Sequence, residues 1–173
     1  MNERMFDAYR AAKTIIDEET TQEDRELLDR ANSSDIVIVR GCYDRVEDVL
    51  RIMDIRFELV GPTAVGALKL RPEQMLIVNC PGKIGRRGVT NVRNFVAEGG
   101  TLFTTDWALR HVLEPAFPGF VAYNEHPTAD DVVRIEIKDR DSALLQGVFH
   151  EGADPLWWLE GSSYPIKVLD SDK

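Results

Sequence analysis

From Asp35 onward the chain repeats one pattern: an apolar run of strand length, a turn of Gly, Pro or polar residues, then apolar positions at helical spacing. Ile36 to Val39 is a β-branched run ending at Arg40-Gly41, and Val46, Val49, Leu50 and Met53 follow at i, i+3, i+4 and i+7. Asp44 and Glu47 stand at capping-box spacing, which predicts that the Asp44 carboxylate accepts an orphan amide at the start of that helix. Arg56 to Val60 reads as a second strand closed by Gly61-Pro62. After a polar loop, Met75 to Val78 reads as a third, running into the turn Asn79-Cys80-Pro81-Gly82. Val89, Val92, Phe95 and Val96 mark the next helix, which Gly99-Gly100 stops through a left-handed cap. Thr101 to Thr104 is the fourth strand. Asp106 stands at its carboxyl end, and Trp107, Leu109, Val112 and Leu113 begin a short helix terminated by Pro115 and Pro118.

Strands apolar along their whole length need cover on both faces, so this order predicts a parallel sheet between helices, doubly wound through right-handed crossovers. The expected fold is an α/β three-layer sandwich with a mostly parallel, flavodoxin-like sheet. In such sheets ligands sit outside the carboxyl ends of the strands. The topology therefore brings Gly41 and Cys42, Asn79 to Gly82, and Thr105 and Asp106 together as the candidate site.

The flanks are less regular. Residues 1–34 carry nine acids against five bases and no Gly or Pro, with Met5, Tyr9, Ala12 and Ile16 and then Leu27, Leu28 and Ala31 at helical spacing. They are expected to form an acidic helical extension docked through a narrow apolar stripe, leaving 35–173 as the α/β domain. Val132 to Lys138 alternates like a strand, Trp157-Trp158-Leu159 is an apolar knot, and Tyr164 to Leu169 is another strand candidate. Side chains alternate in a strand, which puts one of the two Trp residues in a core and the other on a groove or interface. The chain stops in charged residues right after that last strand, as a domain cut from a longer protein would.

The formal net charge of −9 over 173 residues opposes sequence-independent nucleic-acid binding and capture by anionic membranes. No apolar run approaches the roughly 18 residues of a membrane span, and MNERMFDAYR lacks the apolar core of a secretory signal. Two cysteines, Cys42 and Cys80, make no disulfide framework, so reduced thiols and a cytoplasmic location are expected.

Cys80 has two readings. At a strand-to-loop junction near Lys83, Arg86 and Arg87 it could be an activated thiolate, with His111, His126 or His150 as its base. As a structural residue it would simply fill the end of a buried strand, and Cys42 is read in the same way. Asp106 is either a buried N-cap for the helix that follows or a functional carboxylate. Lys83, Arg86, Arg87 and Arg93 form a basic stretch with no acid between Gly82 and Glu98, flexible through Gly82, Gly85 and Gly88. It is either a solvated loop or a receiver for a phosphate or carboxylate, and it lacks the spacing of a Walker A loop. No metal ligation can be derived from the spacing of the His residues.

The run LIVNCPGKIGRRGVTNVRNFVAEGGTLFTTDWALRHVLEPAFPG resembles the middle of a class I glutamine amidotransferase-like domain, closest in texture to its non-catalytic ThuA-like and GIFT-like branches. Leu144-Leu145-Gln146-Gly147-Val148 and the aromatic segment Trp157 to Gly161 are similar to a later turn and strand of those branches. The resemblance covers about residues 35–170. It implies a nucleophilic Cys in a glycine-flanked elbow where this chain has Thr104-Thr105-Asp106-Trp107-Ala108, so Asp106 stands at the nucleophile position and neither elbow glycine is present. A carboxylate cannot form the thioester of glutamine hydrolysis. Asn79 to Gly82 matches the oxyanion loop, and Phe149-His150-Glu151 only echoes the His-x-Glu pair.

The expected function is a non-catalytic binding or scaffold module without cofactor or metal, taking a protein partner or a small anionic ligand and neither nucleic acid nor membrane. Its expected binding residues are Gly41, Cys42, Asn79, Cys80, Gly82, Arg86, Arg87, Asp106 and Trp107. The alternative is a hydrolase or amidase that uses Cys80, Asp106 and His150.

Overall fold

The structure, a computed structural model, describes residues 3–145, 148–149 and 152–170. It divides into two compact units, Met1–Tyr123 with Ile166–Lys173, and Asn124–Pro165.

The first unit holds a four-stranded parallel sheet. Its strands are β1 (Ile36–Val39), β2 (Glu58–Val60), β3 (Met75–Val78) and β4 (Thr101–Thr104), in the order β2-β1-β3-β4. Parallel neighbours need crossovers, which are supplied by α3 (Val46–Ile52) and α4 (Gly85–Ala97) and by the 3₁₀ segment Pro62–Ala67. The two central strands carry the core: Ile38, Val39, Leu76 and Val78 have no solvent exposure, and Val39, Leu76 and Val78 form one cluster with Val65, Val92, Phe95, Ala108 and Val112. The segment between β2 and β3 is more ordered than its polar composition predicts. Asn91 on α4 donates through Nδ2 to the carbonyls of Val65 and Leu68, at 2.8 and 3.0 Å, and so ties the 3₁₀ turn to the helix.

Two helices precede the sheet, α1 (Glu3–Glu19) and α2 (Gln22–Arg30), with Thr21 capping α2 by accepting from the Asp24 amide at 3.1 Å. The extension is helical, as its pattern predicts, but neither helix buries a residue. Phe6, Tyr9 and Ala12 are half-buried where α1 lies along α3, whereas Ile16 remains exposed.

After β4, the expected short helix is a π-helical turn, Leu109–Leu113, continued by α5 (Glu114–Ala116). A two-stranded antiparallel pair, β5 (Val121–Tyr123) with β8 (Ile166–Val168), completes this unit. The second unit contains the antiparallel ribbon of β6 (Asp131–Arg134) and β7 (Leu156–Leu159). The expectation that one of Trp157 and Trp158 enters a core is wrong: they are 53% and 72% exposed. Alternation does put them on opposite faces, but a two-stranded ribbon supplies no second layer to bury either one. Among the described residues no helix is long and apolar enough to cross a membrane.

Candidate functional site

The strand order reverses direction between β1 and β3, and at such a switch point the loops leaving neighbouring strands part and open a crevice. The residues at these strand ends are stitched together by backbone. The Cys42 amide donates to the Cys80 carbonyl at 2.9 Å, the Cys80 amide to Thr105 Oγ1 at 2.9 Å, and the Thr105 amide to the Val78 carbonyl at 3.2 Å. Glycine is needed twice. A Cβ on Gly41 would lie 2.3 Å from the Cys80 carbonyl oxygen, and one on Gly82, whose φ is +71°, would lie 2.9 Å from Ala108 Cβ and Val112 Cγ2. Both glycines thus act by letting chains approach, the first β1 against β3, the second the β3 turn against the segment after β4.

Asn79 is fully buried at the end of β3 and works in two directions. Its Oδ1 accepts from the Val46 amide at 3.4 Å, and its Nδ2 donates to Glu47 Oε2 at 2.8 Å. The cap of α3 is therefore Asn79, from 33 residues away, and not Asp44. Arg45 occupies the N-cap position with no side-chain cap, and Asp44 Oδ2 is buried without a hydrogen-bond partner among the described residues. Next to Glu47, the buried Asp48 carboxylate is held by Arg45 Nε at 2.9 Å and Arg51 Nη1 at 2.7 Å.

Asp106 does not cap the following helix either. The π-helical turn has Ala108 at its N-cap position with no side-chain cap, and Asp106 is exposed. Its φ is +38°, a left-handed conformation that costs a non-glycine residue energy, on a sharp turn from strand to helix. From that turn its Oδ2 lies 3.7 Å from Cys80 Sγ, which donates to it. The pair expected from the topology is thus in contact.

The chemistry of Cys80 follows from its surroundings. The residue is 2% exposed, and burial pushes its thiol up to about 11 from the model-peptide value of 9.0. The Trp107 amide, donating to the sulfur, opposes this, while the charges of Asp44 and Asp106 and the hydrogen bond to Asp106 reinforce it. Among the described residues the charges acting on the sulfur are those of Asp44 and Asp106, not those of the cations Lys83, Arg86 and Arg87 invoked for a thiolate. At neutral pH Cys80 is a protonated thiol donating to a carboxylate, the reverse of an activated nucleophile. Cys42 is exposed.

Of the clefts around this centre among the described residues, two border the turns after β3 and β4. One, of about 400 Å³, lies between α1 and the β1-to-α3 loop and is lined by Met5, Tyr9, Tyr43, Asp44, Val46 and Thr105. The Tyr43 ring stands 6.2 Å from that of Trp107, tilted by 50°, so an aromatic pair spans the mouth between the β1 and β4 turns. The other, of about 520 Å³, lies along the first turns of α4 and the π-helical turn, and takes in Arg86. Arg87 is absent from it and lines a neighbouring hollow, with Gly66, Asn91, Asn94 and the shared Arg86. His111 borders the larger cleft, His126 belongs to the second unit, and His150 lies outside the described residues.

Sequence reasoning found Gly41, Cys42, Asn79, Cys80, Gly82, Asp106 and Trp107 at one place, and the structure brings them together. It missed Tyr43 and the part played by Arg110 and His111. The helical spacing of residues 109–113 was visible, but not which neighbours they face. Comparison of the chain with protein-family models, with curated proteins and with solved structures found no match.

Proposed function

We propose that the chain is a non-catalytic binding or scaffold module of the class I glutamine amidotransferase-like kind, a three-layer α/β domain of the ThuA-like or GIFT-like branch. It keeps the crevice at the sheet top and lacks the nucleophile. The strand order β2-β1-β3-β4, all parallel, supports a flavodoxin-like sheet. The observation that carries the functional reading is Asp106 on the strained turn after β4, with φ +38° and Cys80 beside it as a protonated thiol. An elbow nucleophile must be presented on that turn and must leave a thioester. A carboxylate there cannot do so, and the neighbouring sulfur is held in its unreactive form.

What the crevice retains is a recognition surface: the Tyr43 and Trp107 rings for stacking, the Asp106 carboxylate as acceptor, and the hydrogen-bonded Thr105 and Asn79 side chains as a rigid base. No metal or cofactor enters this reading, and free Cys42 and Cys80 suit a reducing cytoplasm. The test is glutamine-dependent ammonia release by the purified protein. None is expected above the buffer blank, in either the wild type or Asp106→Ala; release that disappears in Asp106→Ala overturns the proposal.

The backbone strain at Asp106 favours one second reading, a carboxylate-dependent hydrolase, because strain of this kind is retained where a side chain must be held out for chemistry. That reading requires turnover of a simple ester such as p-nitrophenyl acetate that Asp106→Asn abolishes and Cys80→Ser leaves intact.

A further inference from the structure

In a chain of net charge −9, seven of the described cations, Arg10, Lys13, Arg45, Arg51, Arg71, Arg134 and Lys138, form ion pairs with carboxylates. The 520 Å³ cleft is different. Lys83, Arg86, Arg93 and Arg110 line it together with His111, no carboxylate lines it, and none of those four cations has an ion-pair partner among the described residues. Like charges gathered in one hollow repel each other, so their concentration there costs energy that a bound anion would relieve.

We infer that this cleft is a binding site for a phosphorylated small molecule with an apolar body. The cleft's two kinds of wall specify that ligand. The cationic rim combines guanidinium forks, which pair with two phosphate oxygens at once, with the point charge of Lys83. The remaining wall is apolar, made by Ile84, Val89 and Pro115, and suits a carbon skeleton better than a second phosphate. The volume is within the range of small-molecule sites and too large for orthophosphate alone.

Part of the rim is already fixed in place. Arg93 donates from Nε to the Ala116 carbonyl at 2.8 Å and from Nη2 to the Pro115 carbonyl at 2.7 Å, which holds it against the far wall. Arg110 lies over the Tyr123 ring, 5.8 Å from its centroid. Lys83 and Arg86 are exposed and remain to close on a ligand. The positive potential registers on His111, whose imidazolium is disfavoured first by burial and then by Lys83 and Arg110, against the opposing pull of Glu114. The Glu114 carboxylate itself accepts the Tyr123 amide.

This site is separate from the crevice at Asp106 and does not depend on whether that crevice is catalytic. Phenyl phosphate, titrated calorimetrically into the full chain beside inorganic phosphate and phenol, tests it. Phenyl phosphate is expected to bind about tenfold more tightly than inorganic phosphate, since the ring removes apolar wall from water, and phenol is expected not to bind. The double variant Lys83→Ala with Arg86→Ala should weaken phenyl phosphate at least about tenfold, whereas Arg87→Ala, outside the cleft, should leave it unchanged. Because Lys83 and Arg86 are exposed and without ion pairs, the double variant should keep the wild-type circular dichroism spectrum and urea midpoint. Absence of phenyl phosphate binding overturns the inference, as does binding that survives the double variant or matches inorganic phosphate. A single-stranded RNA oligonucleotide that binds more tightly through the same two residues would overturn it too, making the cleft a polyanion track.

Discussion

Cys80 and Asp106 show how a single contact reverses the meaning of a residue. A cysteine at a strand end near Lys83, Arg86 and Arg87 reads as a thiolate when only the neighbours in sequence are known. The structure puts the carboxylates of Asp106 and Asp44 and a buried environment around the sulfur instead. In a Cys42→Ser background, iodoacetamide should label Cys80 at pH 7.5 roughly a hundredfold more slowly than an ordinary exposed thiol, with the rate climbing until about pH 11. Asp106→Asn removes one of the causes of the raised value and should move the rising limb to lower pH. Rapid labelling at neutral pH would contradict the geometry. The same shift carries a stability sign. The folded-state value of about 11 lies above the model-peptide 9.0, so the contribution is intact below pH 9 and is lost as pH rises toward 11.

At the scale of elements, the joint between β3 and α3 depends on Asn79. Its side chain satisfies one orphan amide of α3 and holds the buried Glu47, so it couples the end of a central strand to the start of a crossover helix. Asn79→Ala should cost about 2–3 kcal/mol in urea unfolding, because it leaves both a buried carboxylate oxygen and a helix amide without a partner. Asp44→Ala, by contrast, should cost little, since one of its oxygens is already unpaired. Equal losses for the two variants would mean that Asp44 is the cap after all. The strands themselves were legible: β1 and β3, IVIV and MLIV, occupy the residues that their apolar runs mark. The Asn79 cap was not, because a local Asp44-to-Glu47 spacing competes with a partner 33 residues away that only packing brings into range. Nor was the π-helical turn at Leu109–Leu113, since the apolar spacing that marks a helix does not distinguish its hydrogen-bond register.

At the scale of the whole molecule, apolar composition does not say where apolar residues end up. Trp157 and Trp158 carry the largest side chains of the second unit and still face water on a two-stranded ribbon. Trp158→Ser should therefore leave the unfolding free energy of the chain in urea within about 0.5 kcal/mol of wild type, and a larger loss would show that the ring is covered in solution. Charge follows the same rule. The net value of −9 is an average that hides a hollow of unpaired cations, and a ligand responds to the local field and not to the sum.

By itself the sequence determined the alternation of strand and helix, the parallel sheet, and the convergence of Gly41, Cys42, Asn79, Cys80 and Asp106 at its carboxyl end. These follow from periodicity, which is a local property, and from the handedness of crossovers, which is general. Only the tertiary structure decided that Asn79 caps α3, that Asp106 is strained and bonded to a protonated Cys80, and that Arg86 but not Arg87 lines the cationic cleft. Burial, proximity and dielectric are set by residues far apart along the chain, and they govern whether a side chain pairs, titrates or waits for a ligand.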